Sequence, residues 1–237
     1  AGRRPLRPPS RARGRAPASR RRRPSSGRPF VHGGFWQARF DHSTLAALAV
    51  DLVRRGFATV NVEYRRVGVD GGIPETLEDV EAAADALARW DAPLDRSRVV
   101  ALGHSAGGHL ALWLAGTGKV AAAVSLAGVC DLSAAAEEGV GEGAAVEFAG
   151  GLPAERPDAY ALADPLRRLP TGVPQLLAHG DADDRVPIEQ SRRYAQAARA
   201  AGDRCELLDF AGVGHFELID PRGGVWPEVA ERLPSLR

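Results

Sequence analysis

"RVVALGHSAGGHLALWL", residues 98–114, decides the fold. It runs from a short continuous apolar segment, 98 to 102, of the kind that forms a strand covered on both faces, into an apolar stretch from Ala106 that fits a helix. Gly103, Ser105 and Gly107 lie between them and spell GxSxG. A turn this tight leaves no room for side chains at Gly103 and Gly107, which would collide with neighbouring backbone. The Ser105 hydroxyl then stands exposed at a helix N-terminus, where the outward amide of Ala106 and the helix dipole favour developing negative charge. The same letters also describe a serine that merely caps a helix, so the rest of the chain has to decide.

Strand and helix patterns alternate on both sides of this stretch. Leu45, Leu48, Leu52 and Val53 share a helical face that Gly56 closes, and "FATVNVEY" (57–64) follows as a β-rich run. Pro74 opens a helix with acids in its first turn and Leu77, Val80, Ala84 and Leu87 on one side. Strands are expected at 120–127, 174–178 and 205–210, with a helix around 188–201 between the last two. This alternation implies right-handed crossovers and a doubly wound, mostly parallel sheet, so the fold class is α/β. The stretch 131–170 breaks the rhythm with glycines among acids and alanines, and reads as a lid or wall over a site, or as a loosely helical spacer.

A serine hydroxyl is a poor nucleophile until a base accepts its proton and a carboxylate holds that base in the right tautomer. "LLAHGDADDRVP" (176–187) supplies three competing aspartates, Asp181, Asp183 and Asp184, directly after a strand, where parallel sheets place active residues. Asp131, after the preceding strand, is a lesser alternative. "DFAGVGHFELIDP" (209–221) supplies His215 after the last strand. Asp181 and Asp183 also mimic the start of a calcium loop, but the sixth position is Val186 and the twelfth Arg192, which argues against calcium.

These motifs resemble the α/β-hydrolase fold, whose acid loop often reads HGxxDxxVP; His179, Gly180, Asp183, Val186 and Pro187 match it. The resemblance selects Asp183 as the orienting acid and His215, in its GHF motif, as the catalytic histidine, in the chain order Ser105, Asp183, His215. It further implies that the tetrahedral intermediate is held by the Ala106 amide and by a second donor from "HGGFW" (32–36), either Gly34 or Phe35. His32, Gly33, Gly34 and Trp36 make this HGGxW loop similar to that of kynurenine formamidases and related small acyl hydrolases, whereas many lipases carry HGGG. Trp36 either packs under the loop or walls the substrate pocket. The implied function is a serine hydrolase of small carboxylic esters or aryl formamides, acting through an acyl-enzyme on Ser105 with no metal or cofactor. A peptidase of the prolyl-oligopeptidase type is the alternative among enzymes. A catalytically dead fold used as a binding module is the alternative outside them.

The formal charge of +1 averages two unlike regions. Residues 1–29 hold eleven of the 31 basic side chains and no acid, leaving 20 against 30 acids, a charge of −10, over residues 30–237. An acidic body is a poor general nucleic-acid binder, so only the tail could engage a polyanion. Built of Arg, Pro, Ser, Gly and Ala with Leu6 as its only large aliphatic residue, the tail buries too little apolar surface to offset chain entropy and is expected to be disordered. No apolar run would serve as a signal h-region or a membrane span, and a soluble cytoplasmic protein is expected. Cys130 and Cys205 are too few for a disulfide framework or zinc site and read as reduced, structural thiols.

One feature departs from the resemblance. Only Phe30 and Val31 stand as an apolar run before His32, and nothing upstream reads as a strand, so the sheet is expected to lack the fold's first strands. The abrupt change of composition, the absence of Met and the single lysine, Lys119, make the first 28 residues or so look like a shifted frame or wrong start.

Overall fold

The structure is a computed structural model that describes residues 25–31, 33–91 and 94–236. The tail up to residue 24 and His32 lie outside the described residues.

Seven strands form one sheet: β1 (Ser25–Val31), β2 (Ala58–Val62), β3 (Leu94–Asp95), β4 (Val100–His104), β5 (Ala122–Leu126), β6 (Gln175–Gly180) and β7 (Cys205–Phe210). Their order is β2-β1-β4-β5-β6-β7, with β3 paired to β1, and every pairing is parallel. The expected doubly wound α/β architecture is present. Successive residues of a strand face opposite sides of a sheet, and the two sides are covered by different helices. Val100, Leu102, Val124, Leu126, Leu176 and Ala178 pack with Leu45, Leu48 and Leu52 of α1 (Ala46–Arg54) and its entry, and with Trp226 and Val229 of α8 (Trp226–Arg232). The Trp226 Nε1–H donates to Asp51 Oδ2 at 2.7 Å and joins those two helices.

On the other face Ala101 packs in the cluster shared by α2 (Glu75–Arg89) and α3 (Ala106–Ala115), while Ala123 and Leu177 meet α3 and α7 (Glu189–Ala200). All ten residues of α3 are buried, as expected for a helix with no polar face. It runs through the middle of the domain from the end of β4.

Two expectations need correction. β1 starts at Ser25, five residues before the expected boundary at Phe30, so residues 25–29 belong to the sheet rather than to the tail. The reason is that a ladder is made by backbone groups: Gly27 to Val31 are in register with Ala58 to Val62, and Phe30 and Val31 also with Leu102 and Gly103. Apolar patterning does not report such pairing. Val53, placed on the inner face of α1, is 55% exposed, and Ala49 takes the buried position in the spacing 45, 48, 49, 52.

The stretch 131–170 folds into α4 (Leu132–Glu137), α5 (Ala144–Ala149) and α6 (Pro157–Ala163). Leu132, Ala135, Phe148 and Tyr160 bury against α3 and Trp36, so this segment forms a packed wall beside the loop at residues 33–36. Asp164, buried, holds it in place by accepting from the amides of Leu132 at 3.1 Å and Ser133 at 3.0 Å.

Candidate active site

Ser105 sits between β4 and α3 with φ 56° and ψ −122°, a conformation that a non-glycine residue adopts only when its surroundings impose it. The constraint is visible at Gly103, where an added Cβ would strike the carbonyl of Gly107. The Ser105 amide donates to Leu126 O on β5 at 2.8 Å, and its carbonyl accepts from His109 as α3 begins. The first amides of α3, Ala106 included, have no intrahelical acceptor by position and are therefore available as donors.

Asp183 lies in the loop after β6 and His215 in the loop after β7, and parallel strands deliver both to the same end of the sheet as Ser105. His215 Nδ1–H donates to Asp183 Oδ2 at 2.7 Å. The other carboxylate oxygen, Oδ1, accepts from the amides of Arg185 at 2.8 Å and Val186 at 2.9 Å. Burial pushes the Asp183 carboxyl up, but the close approach of His179 and His215 outweighs it and holds the group well below the ordinary carboxylate range. The aspartate is thus ionised, and it fixes His215 in the tautomer that leaves Nε2 able to accept a proton. Of the competing acids, Asp181 accepts from the Gly212 amide at 2.6 Å, and Asp131 caps α4 by accepting from Ala134 N at 2.9 Å. Asp183 is the one that meets His215.

A cavity of about 260 Å³ opens over the serine, lined by Gly34, Phe35, Arg39, Phe40, Thr44, His104, Ser105, Arg185, His215 and Phe216. Ser105 and His215 both border it. No hydrogen bond joins the Ser105 hydroxyl to His215 among the described residues, a looseness common before a ligand draws the two groups together. Gly34, Phe35 and Trp36 have consecutive positive φ values of 108°, 52° and 57°, so the loop after β1 turns sharply beside Ser105. A Cβ on Gly33 would come within 2.7 Å of His104 O and 3.1 Å of Ser105 Cβ. Trp36 is 1% exposed and is not among the cavity's lining residues. It stacks on Phe148 at 4.5 Å and meets His109 edge-on at 5.1 Å, so it packs under the loop rather than walling the substrate cavity as one reading of the sequence expects.

Two supporting histidines went unassigned in the sequence. His104 Nε2–H donates to the carbonyl of His215 at 3.0 Å and tethers the loop that carries His215; burial, reinforced by the neighbouring His215, brings the His104 pKa down to about 3. His179 Nε2 stands 2.9 Å from Val186 O and 3.2 Å from Asp183 Oδ2, with Nδ1 2.7 Å from Ser191 Oγ, and so braces the acid loop from below. His179 was visible as part of the motif, but its contacts depend on the separation of β6 and α7.

A family model described as the prolyl oligopeptidase family matches residues 52–231, more than half of the chain. The chain belongs to this family. The match includes Ser105, Asp183 and His215 but begins after the loop at 33–36. Dipeptidyl peptidase family member 2 of Caenorhabditis elegans is 30% identical over 166 residues, covering 68% of this chain and 19% of that protein. Esterase LipC of Mycobacterium tuberculosis is 28% identical over 222 residues, covering 81% of this chain and 53% of that protein. The chain therefore spans about a fifth and about half the length of these two relatives. Among solved structures, Thermogutta terrifontis esterase 2 phosphoramylated by tabun superposes with a TM-score of 0.73 at 25% identity, covering 90% of this chain and 82% of that one. The family match and the esterase neighbour bear out the expected α/β-hydrolase fold. None of these three relatives is named as a formamidase. Among the described residues no helix is long and apolar enough to cross a membrane.

Proposed function

We propose that the protein hydrolyses small carboxylic esters or aryl formamides through an acyl-enzyme on Ser105. His215 takes the serine proton during attack on the carbonyl carbon and returns it to the leaving alcohol or amine. It then deprotonates the water that releases the acid. Asp183 orients the imidazole and stabilises its protonated form. The alkoxide-like oxygen of each tetrahedral intermediate is held by the Ala106 amide and by that of Gly34 or Phe35.

The observation that carries this reading is the shared cavity: a serine in a strained turn and a histidine clamped by a buried aspartate border one small, mostly apolar space. A space of about 260 Å³ suits a short acyl group better than an extended peptide. Peptidase activity is the second reading, favoured by the family and by the dipeptidyl peptidase relative.

A panel of 4-nitrophenyl acetate, an aryl formamide and an aminoacyl-arylamide, tested on wild type and Ser105→Ala, separates these readings. We expect Ser105-dependent turnover of the ester, the formamide or both. Turnover of the arylamide alone would establish the peptidase instead, and activity that survives Ser105→Ala would defeat the mechanism. Because the related esterase is phosphoramylated by tabun, paraoxon is expected to inactivate this protein by adding one diethylphosphoryl group to Ser105, as read by peptide mass spectrometry.

A further inference from the structure

Among the described residues, the cavity over Ser105 is lined by two permanent cations and no carboxylate. Arg39 and Arg185 line it together with Phe35, Phe40 and Phe216, and the remaining titratable groups on its wall are His104 and His215. Both arginines also border a second recess of about 200 Å³, shared with Phe35 and lined further by Gln37, Gly141, Glu142 and Asp184. Arg39 and Arg185, with Phe35, thus border both spaces. A ligand whose carbonyl reaches Ser105 would extend its far end toward them.

The two side chains arise from short, tied segments. Arg185 follows the acid loop, and its own amide donates to Asp183 Oδ1 at 2.8 Å, so the carboxylate that orients His215 also fixes where Arg185 begins. Arg39 lies between Ala38, whose amide donates to Val67 O at 3.2 Å, and Phe40, whose amide donates to Gln37 O at 3.3 Å. Its guanidinium carbon lies 5.0 Å from the centre of the Phe40 ring, and among the described residues it has no carboxylate partner. Arg185 approaches Asp184, with Nε 3.5 Å from Oδ1, but that pair is solvent-exposed and contributes little. Glu142 and Asp184 belong to the outer recess and do not line the cavity over the serine.

Two guanidinium groups with unused donors, beside apolar aromatic walls, fit an anion carried on an apolar body. We propose that Arg39 and Arg185 select substrates bearing a free carboxylate, so that the preferred esters are those of half-esterified dicarboxylic acids or of carboxylated phenols. This inference rests on the esterase reading above. Hydrolysis then proceeds as for any ester, with water supplying the hydroxyl to the acyl carbon and the proton to the departing oxygen. The anion itself takes no part in bond making.

The test compares kcat/KM in two matched arms, at low and at high ionic strength. The acyl arm sets 4-nitrophenyl hydrogen glutarate against 4-nitrophenyl pentanoate. The alcohol arm sets 4-acetoxybenzoate against its methyl ester. Wild type is expected to prefer the anionic member of at least one arm by about tenfold or more, with a preference that shrinks as salt screens it. In the Arg39→Gln, Arg185→Gln double variant that ratio should fall to near one. Each single variant is read in the same way should the double variant be unstable. Absence of a preference in both arms, or a preference that the double variant retains, would overturn the inference while Ser105-dependent turnover of the neutral esters leaves the esterase reading standing. Failure of every ester to turn over would remove that reading and this inference together.

Discussion

His215 and Asp183, 32 positions apart in the chain, meet through a 2.7 Å hydrogen bond from Nδ1 to Oδ2. Because Asp183 is already saturated at Oδ1 by two loop amides, the bond fixes the imidazole plane as well as its tautomer. Asp183→Asn keeps the shape but presents the wrong donors, and kcat should fall by about 10⁴. Asp131→Asn, which retains the cap of α4, should change ester turnover less than about twofold. Steady-state kinetics on 4-nitrophenyl acetate checks both. Since the Asp183 carboxyl is held below the ordinary carboxylate range, its contribution to stability is complete above about pH 4 and is lost only as pH falls through the lower folded value.

The buried histidines set the pH dependence of folding over a higher range. Burial lowers His109 from its ordinary 6.5 to about 4 and His104 to about 3, so the unfolded chain takes up these protons first as pH falls. Stability is therefore full above about 6.5 and declines by about 1.4 kcal/mol per pH unit for each such group until its folded value is reached. His109→Gln can still donate to Ala163 O, the partner that His109 Nε2 holds at 2.9 Å, but it does not titrate. Urea midpoints measured from pH 7 to pH 4.5 should show a shallower slope in this variant than in wild type.

Two glycines near the serine should fail differently. Gly103→Ala drives a methyl into the Gly107 carbonyl inside a fully buried strand-to-helix turn, and should cost at least about 3 kcal/mol or prevent folding. Gly33→Ala meets the backbone carbonyl of His104 at 2.7 Å and Ser105 Cβ at 3.1 Å, so the loop that carries it has to move away from the serine. It should leave the thermal midpoint within a few degrees while lowering kcat about a hundredfold through displacement of the second oxyanion donor. Thermal melts and kinetics on the same preparations separate the two outcomes.

The thiols should be silent. Burial pushes both Cys130 and Cys205 up to about 12, far from a reactive thiolate at neutral pH. A chromogenic disulfide reagent at pH 8 should titrate no thiol per folded chain and two in urea.

Much of this is legible in the sequence, because the strands and helices each carry their own period and Gly103 and Gly107 flank Ser105 at a fixed spacing. Trp36 was ambiguous in sequence, since an aromatic beside a glycine turn packs inward or lines a pocket depending on what lies opposite. Phe148, 112 residues away, decides that by stacking on it. The extent of β1 is invisible for a related reason: Ser25 and Ser26 join the sheet through backbone pairing with β3, and residues 27–29 with β2, which leaves no apolar signature.

The sequence by itself determined the alternating α/β order, the tight turn that carries Ser105 and the loops that carry Asp183 and His215, since local periodicity and steric limits on glycine act within a few residues; it did not determine that Ser105 is buried, only 3% exposed, rather than standing open at the helix end. Only the tertiary structure decided that His104 and His179 brace the two loops, that Trp36 stacks on Phe148, and that Arg39 and Arg185 share one cavity. Those are contacts between segments that the sheet brings together, and their energies depend on distance and burial, which no local pattern encodes.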